Sequence, residues 1–128
     1  MRSLSILVAS FALVAPGLAC LHLKGGITHD PFPGLSGTWN VEAVDNGVQV
    51  CNSESRIDQD GHYSMKCLPG YVYAFTKDGS TAWFANPSQS WSFGQHPSTS
   101  RYCCHGACDD KGVHIGCTDY EWDFSMFC

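Results

Sequence analysis

The stretch Thr38-Trp39-Asn40-Val41-Glu42-Ala43-Val44-Asp45-Asn46-Gly47-Val48-Gln49-Val50-Cys51 decides the fold. Its first seven residues alternate large apolar with polar side chains, the period of a strand with one buried face. Asp45-Asn46-Gly47 interrupts the alternation, and Asn-Gly readily takes the positive φ of a tight hairpin turn. Val48 to Cys51 reads as the returning strand. The same grammar recurs downstream. Asp60-Gly61 separates a short strand at Ser55 to Asp58 from one at His62 to Cys67, and Asp78-Gly79 separates Tyr71 to Thr76 from Thr81 to Ala85. Val113 to Cys117 and Tyr120 to Phe127 read as further short strands. Repeated hairpins of this kind make an all-β, disulfide-stapled meander or sandwich of about 5–8 short strands, with little or no helix.

Upstream of Thr38 the alternation stops. Gly25-Gly26, Pro31, Pro33 and Gly34 crowd residues 20–37, which read as an irregular N-terminal arm. Residues 1–19 have another character: a basic start at Arg2, an apolar run from Leu4 to Val14, and small residues at Gly17 and Ala19. This is the pattern of a cleaved signal peptide, and the run is shorter than the roughly 20 apolar residues that span a bilayer. The expected organisation is a signal peptide at 1–19, the arm at 20–37 and a disulfide-rich β-domain at 38–128, with the protein secreted to the extracellular space.

Eight cysteines, Cys20, Cys51, Cys67, Cys103, Cys104, Cys108, Cys117 and Cys128, fit that compartment. An even count is expected to close into four bridges. Cys51 and Cys67 flank the Asp60-Gly61 turn and can close that hairpin. Cys103 and Cys104 point to opposite faces if they lie on a strand, so they are expected to staple different elements. The cluster Cys103-Cys104-His105, Cys108, His114 and Cys117 also invites a zinc reading. Adjacent cysteines fit no common zinc-ligand spacing, and an exported chain favours disulfides, so no metal and no cofactor are expected.

Once residues 1–19 are removed, 12 acidic side chains face six basic ones. An acidic surface with no basic run disfavours nucleic acid as a partner, and no second apolar segment points to a membrane. Leucine is scarce after residue 19, whereas Trp39, Trp83, Trp91, Trp122 and several Tyr and Phe are spread over the expected strands. The simplest account is an aromatic core. The alternative is a sugar-binding face built from Tyr71, Tyr73 and Phe75, or from Trp83 and Trp91.

No Gly-x-Ser-x-Gly elbow, phosphate loop or dinucleotide fingerprint is present. Tyr120-Glu121-Trp122 resembles the strand that carries the glutamate base of microbial guanyl-specific ribonucleases. In that family an Arg and a His follow on later strands, and here only Asp123 to Cys128 remain. No catalytic residue is therefore assigned and the chain is expected not to be an enzyme. Pro87 to Ser100 is the longest polar stretch between expected strands, and loops on a rigid scaffold concentrate binding residues. Trp91, Phe93 and His96 within it are the candidate binding residues.

The export pattern, the short mature length, the even cysteines and the run from Asp45-Asn46-Gly47 through Cys51 to Cys67-Leu68-Pro69-Gly70-Tyr71 together resemble the small secreted cysteine-rich proteins of filamentous fungi. The resemblance implies an effector-like protein acting outside the cell on a host or competitor partner, protein or cell-wall glycan. A cell-wall carbohydrate-binding protein is the first alternative, and a small secreted hydrolase or toxin the second.

Overall fold

The computed structural model describes residues 20–108 and 114–128, with the backbone alone at 107, 108, 114 and 115. Residues 1–19, where a signal peptide is expected, lie outside these residues. Nine strands follow in chain order: β1 (Leu21–His29), β2 (Gly37–Asp45), β3 (Val48–Ile57), β4 (Tyr63–Cys67), β5 (Val72–Phe75), β6 (Thr81–Ala85), β7 (Ser90–Gly94), β8 (Ser98–Cys108) and β9 (His114–Met126). All pair antiparallel in one sheet of order β7-β6-β5-β4-β3-β2-β1-β9-β8. Among the described residues there is no helix. The all-β, disulfide-stapled class is as expected, but the described residues form nine strands, more than the upper end of the expected count, and β8 and β9 run to 11 and 13 residues.

The turns form where the sequence places them. Asn46 and Gly47 both take positive φ, 49° and 80°, and Gly61 and Gly79 sit at 80° and 70°. Asp78 fixes its turn by accepting hydrogen bonds from the Ser80 backbone N–H, the Thr76 hydroxyl and the Ser80 hydroxyl. These donors hold its carboxyl below the usual aspartate range.

Two segments differ from the expectation. The arm at 20–37 is irregular only beyond His29; Leu21–His29 is β1, between β2 and β9 near the middle of the sheet. Its Gly25-Gly26 pair reads as a breaker, yet a Cβ at Gly26 would lie 2.2 Å from the Trp39 ring, so this strand requires a glycine there. The polar stretch Pro87 to Ser100 is not one loop: it contains β7, an edge strand, and the start of β8. Ser90-Trp91-Ser92-Phe93-Gly94 alternates as a strand does, with serine on the open side.

The sheet curls until its inner face closes on itself. Trp122 on β9 meets Phe75 on β5 with ring centroids 4.8 Å apart. Trp91 on β7 meets Phe127, just past β9, at 5.1 Å. Leu21, Leu23 and Ile27 from β1 join Tyr73, Phe75 and Phe84 in the buried interior. Tyr73 and Phe75 are fully enclosed, so Tyr71, Tyr73 and Phe75 do not form an open sugar-binding strip. The polar atoms of this core are satisfied by one chain. The Trp122 indole N–H donates to the Tyr73 hydroxyl at 2.9 Å, that hydroxyl donates to the Gln95 side-chain carbonyl, and the Gln95 amide donates to the Gly79 carbonyl at 2.9 Å. Burial pushes the Tyr73 phenol far above its ordinary range.

Three bridges join described cysteines. Cys51–Cys67 closes the β3–β4 hairpin as expected, Cys104–Cys117 ties β8 to β9, and Cys20–Cys128 joins the residue before β1 to the segment after β9. Cys103 is disulfide-bonded as well. The Cys108 side chain lies outside the described residues.

Candidate functional site

Along β2, strand alternation should carry Trp39 to the same inner face as Val41 and Ala43. It does not, because the β1–β2 register slips: Lys24 pairs with Glu42, but Gly26 pairs with Trp39. The extra residue on β2 is absorbed at Asn40, whose φ is 49°. Asparagine is among the few non-glycine residues that tolerate this region, and a bulge of this kind re-aims a side chain. Trp39 therefore lies on the outer face, its six-membered ring across Gly26. The indole N–H donates to the Thr28 hydroxyl at 3.1 Å, and Thr28 donates in turn to the Asp119 carboxylate at 2.7 Å. The Tyr102 hydroxyl donates to the same carboxylate oxygen at 3.2 Å. The ring is thus fixed at its N–H and underneath.

Trp39 lines a groove of about 390 Å³ that crosses β9, β1, β2 and β3. Its rim is polar. Lys24 pairs with Glu42 at 3.0 Å, and that carboxylate holds the Lys24 ammonium above its usual pKa. Asp123, on the rim, pairs with His22 at 2.6 Å. Gln49, Ser53 and Asn40 add amide and hydroxyl groups. Glu121 stands opposite Gly26 in the β1–β9 register and is exposed. The groove therefore combines one aromatic surface with hydrogen-bond donors and acceptors, and most of its charges are paired off.

A second tryptophan, Trp83 on β6, also points away from the core, since its neighbours Ala82 and Phe84 are the buried ones. Its ring stacks on His62, centroids 4.5 Å apart and planes at 27°. His62 lies 3.7 Å from Asp58. Asp58, Asp60 and His62 have a spacing that could hold a cation. The Asp58 carboxylate, however, already accepts the backbone N–H groups of Asp60 and His62, which makes it the organiser of a turn.

The candidate residues of the 87–100 segment separate in the structure. Trp91 and Phe93 pack partly buried against the core, Trp91 stacked over Phe84 at 6.1 Å and Phe93 against Phe124 at 6.2 Å. His96 is exposed, with φ 49°. Trp91 lines a small cavity of about 250 Å³ with Leu21, Phe84 and Phe127. Trp91→Ala is accordingly expected to destabilise the fold by about 1–3 kcal/mol, through lost area and aromatic contacts, and not to leave it intact. Urea unfolding of the variant measures this, and a midpoint equal to that of the parent protein would return Trp91 to the role of a free surface contact.

At the far end of β8 the sulfurs of Cys104 and Cys117 share a small cluster with Asp30 and His105. Both sulfurs are committed to the disulfide. Asp30 and His105 are committed to each other at 2.7 Å, with Phe32 edge-on to the imidazole. Burial opposes ionisation of Asp30, but hydrogen bonds from the Phe32 N–H and from His105 outweigh it and hold the carboxyl below its usual range. In this oxidised state the cluster braces residues 30–36 against β8. The zinc-type spacing read from Cys103 to Cys117 is, at Cys103, Cys104 and Cys117, disulfide chemistry; the His114 and Cys108 side chains lie outside the described residues.

Trp39 was visible in the sequence only as a strand residue. The signal that could have singled it out is the combination of Asn40, which tolerates positive φ, with a Gly-Gly pair in a neighbouring strand, because a glycine opposite a tryptophan makes room for the ring. Scans against protein-family models, curated proteins and solved structures find no match to this chain. The fold and the site together define a disulfide-braced, curled antiparallel sheet that carries two half-buried tryptophans, Trp39 and Trp83, on its outer face.

Proposed function

We propose that this is an extracellular, effector-like protein that acts by binding a host or competitor partner, without turning over a substrate. The observation that carries the reading is the treatment of Trp39. The core is filled by other aromatics, and a bulge, a glycine and a hydrogen-bonded threonine combine to keep this indole outside, in one orientation. Tryptophan is enriched among residues that dominate binding energy, and a side chain already fixed loses little entropy on association. Three disulfides and the export pattern at 1–19 support action in an oxidising compartment.

The test uses the purified oxidised domain, fluorescently labelled, on intact plant and fungal cells. Saturable surface binding is expected, reduced about tenfold or more by Trp39→Ala or Trp83→Ala, a loss of about 1.4 kcal/mol. The same sample is expected to leave RNA, ester and polysaccharide substrates unchanged. Turnover of any of these that disappears on a His→Ala or Glu121→Ala change would replace the binding reading with an enzymatic one.

A further inference from the structure

We infer that the Trp39 groove is a subsite for one pyranose ring of a neutral polysaccharide, an inference that rests on the binding reading above and names its ligand class. The first argument is what Trp39 leaves available. Its N–H is already bound to Thr28, and Gly26 lies beneath the ring. A ligand entering the groove therefore meets the apolar surface of the indole and not its donor. The axial C–H face of a pyranose is apolar enough to lie there and carries hydroxyls around its edge for the rim to bind.

The second argument is the rim. Lys24 with Glu42 offers a donor and acceptors side by side, the Gln49 amide and the Ser53 hydroxyl each bring a donor and an acceptor of their own, and Glu121 supplies a carboxylate across Gly26 from the ring. Such mixed pairs suit vicinal hydroxyls, each of which both donates and accepts. The charges also select among sugars. Exposed Glu121, the acidic rim residue outside the Lys24–Glu42 and His22–Asp123 pairs, borders the groove of an already acidic protein, so a polyuronate would be repelled. A polycation is less well served: a single aromatic wall is not a cage, and Glu42 and Asp123 have partners of their own.

Binding is measured by calorimetry with cellohexaose, laminarihexaose and chitohexaose as neutral probes, with polygalacturonate and spermine as charged ones. At least one neutral hexasaccharide is expected to bind, and polygalacturonate is not. Trp39→Ala is expected to weaken that binding about tenfold or more, with Trp39→Phe recovering part of it, consistent with an aromatic platform. Gly26→Ala, whose Cβ would displace the ring, is expected to lower affinity similarly. The exposed Glu121→Ala tests the rim without endangering the fold. Near-ultraviolet dichroism confirms that each variant is folded. Spermine binding lost in Glu121→Ala with no neutral probe bound would overturn the sugar assignment, as would neutral-probe binding indifferent to Trp39. Chromatography of the probe after incubation separates the two levels: a cleaved hexasaccharide overturns the non-enzymatic reading, whereas cell-surface binding that needs Trp83 and ignores every neutral probe overturns the subsite alone.

Discussion

Replacing Cys20 and Cys128 together by serine is expected to be the most damaging change among the three described disulfides. The bridge closes a span of 108 residues. In the chain-entropy account, a loop of about 100 residues contributes roughly 4.7 kcal/mol, against about 3 kcal/mol for a loop of about 15. Cys51–Cys67 spans 16 residues and falls at the lower figure. A domain of ordinary stability, on the order of 5–15 kcal/mol, would lose roughly 30% or more of it with the longer bridge. The native contacts should survive, because Leu21 and Met126 beside the bridge remain paired in the β1–β9 ladder. Guanidinium unfolding of the two double-serine variants gives the comparison. A larger loss for Cys51/Cys67 would mean that local native-state effects dominate over loop closure.

Tyr73→Phe is expected to cost about 2–6 kcal/mol although it removes a single oxygen. That oxygen accepts from the Trp122 indole and donates to Gln95, and the tyrosine ring is fully enclosed. Deleting it orphans one buried donor and one buried acceptor, each costing roughly 1–3 kcal/mol. Trp122→Phe removes the donor from the other side and leaves a void. The double variant Tyr73→Phe/Trp122→Phe is expected to cost clearly less than the sum of the singles, since the orphaned indole N–H then no longer exists. Simple additivity in urea unfolding would show that the three side chains do not act as a network.

The all-β class and the hairpins were legible because their determinants are local. Asn46-Gly47, Asp60-Gly61 and Asp78-Gly79 each specify a turn within a few residues, and Tyr73, Phe75 and Phe84 alternate into the interior. The Cys51–Cys67 bridge follows from the hairpin it closes. What escaped depends on contacts between distant residues. Gly25-Gly26 reads as a chain breaker until Trp39 is seen to occupy the space. The serine-rich 90–94 segment reads as loop because an edge strand needs only one apolar face, and here that face is Trp91 and Phe93. The outward turn of Trp39 depends on one residue's φ at Asn40, and simple alternation points the ring the wrong way.

The position of β1 sets the order of assembly. β2 to β7 are each paired with the strand before, so this run of the sheet can zip up as the chain lengthens. β1, by contrast, has β2 on one side and β9 on the other, so half of its hydrogen-bonding edge stays open until the last strand arrives. Pairing across so long a separation is slow, since loop-closure entropy must be overcome first. During that interval the apolar side of Leu21, Leu23 and Ile27 lacks its lid, and the growing chain exposes a sticky edge. Completion of the sheet is thus expected only after β9 has been made. A protein truncated before β9 would retain its hairpins yet carry an unprotected central strand, a species prone to pair with copies of itself.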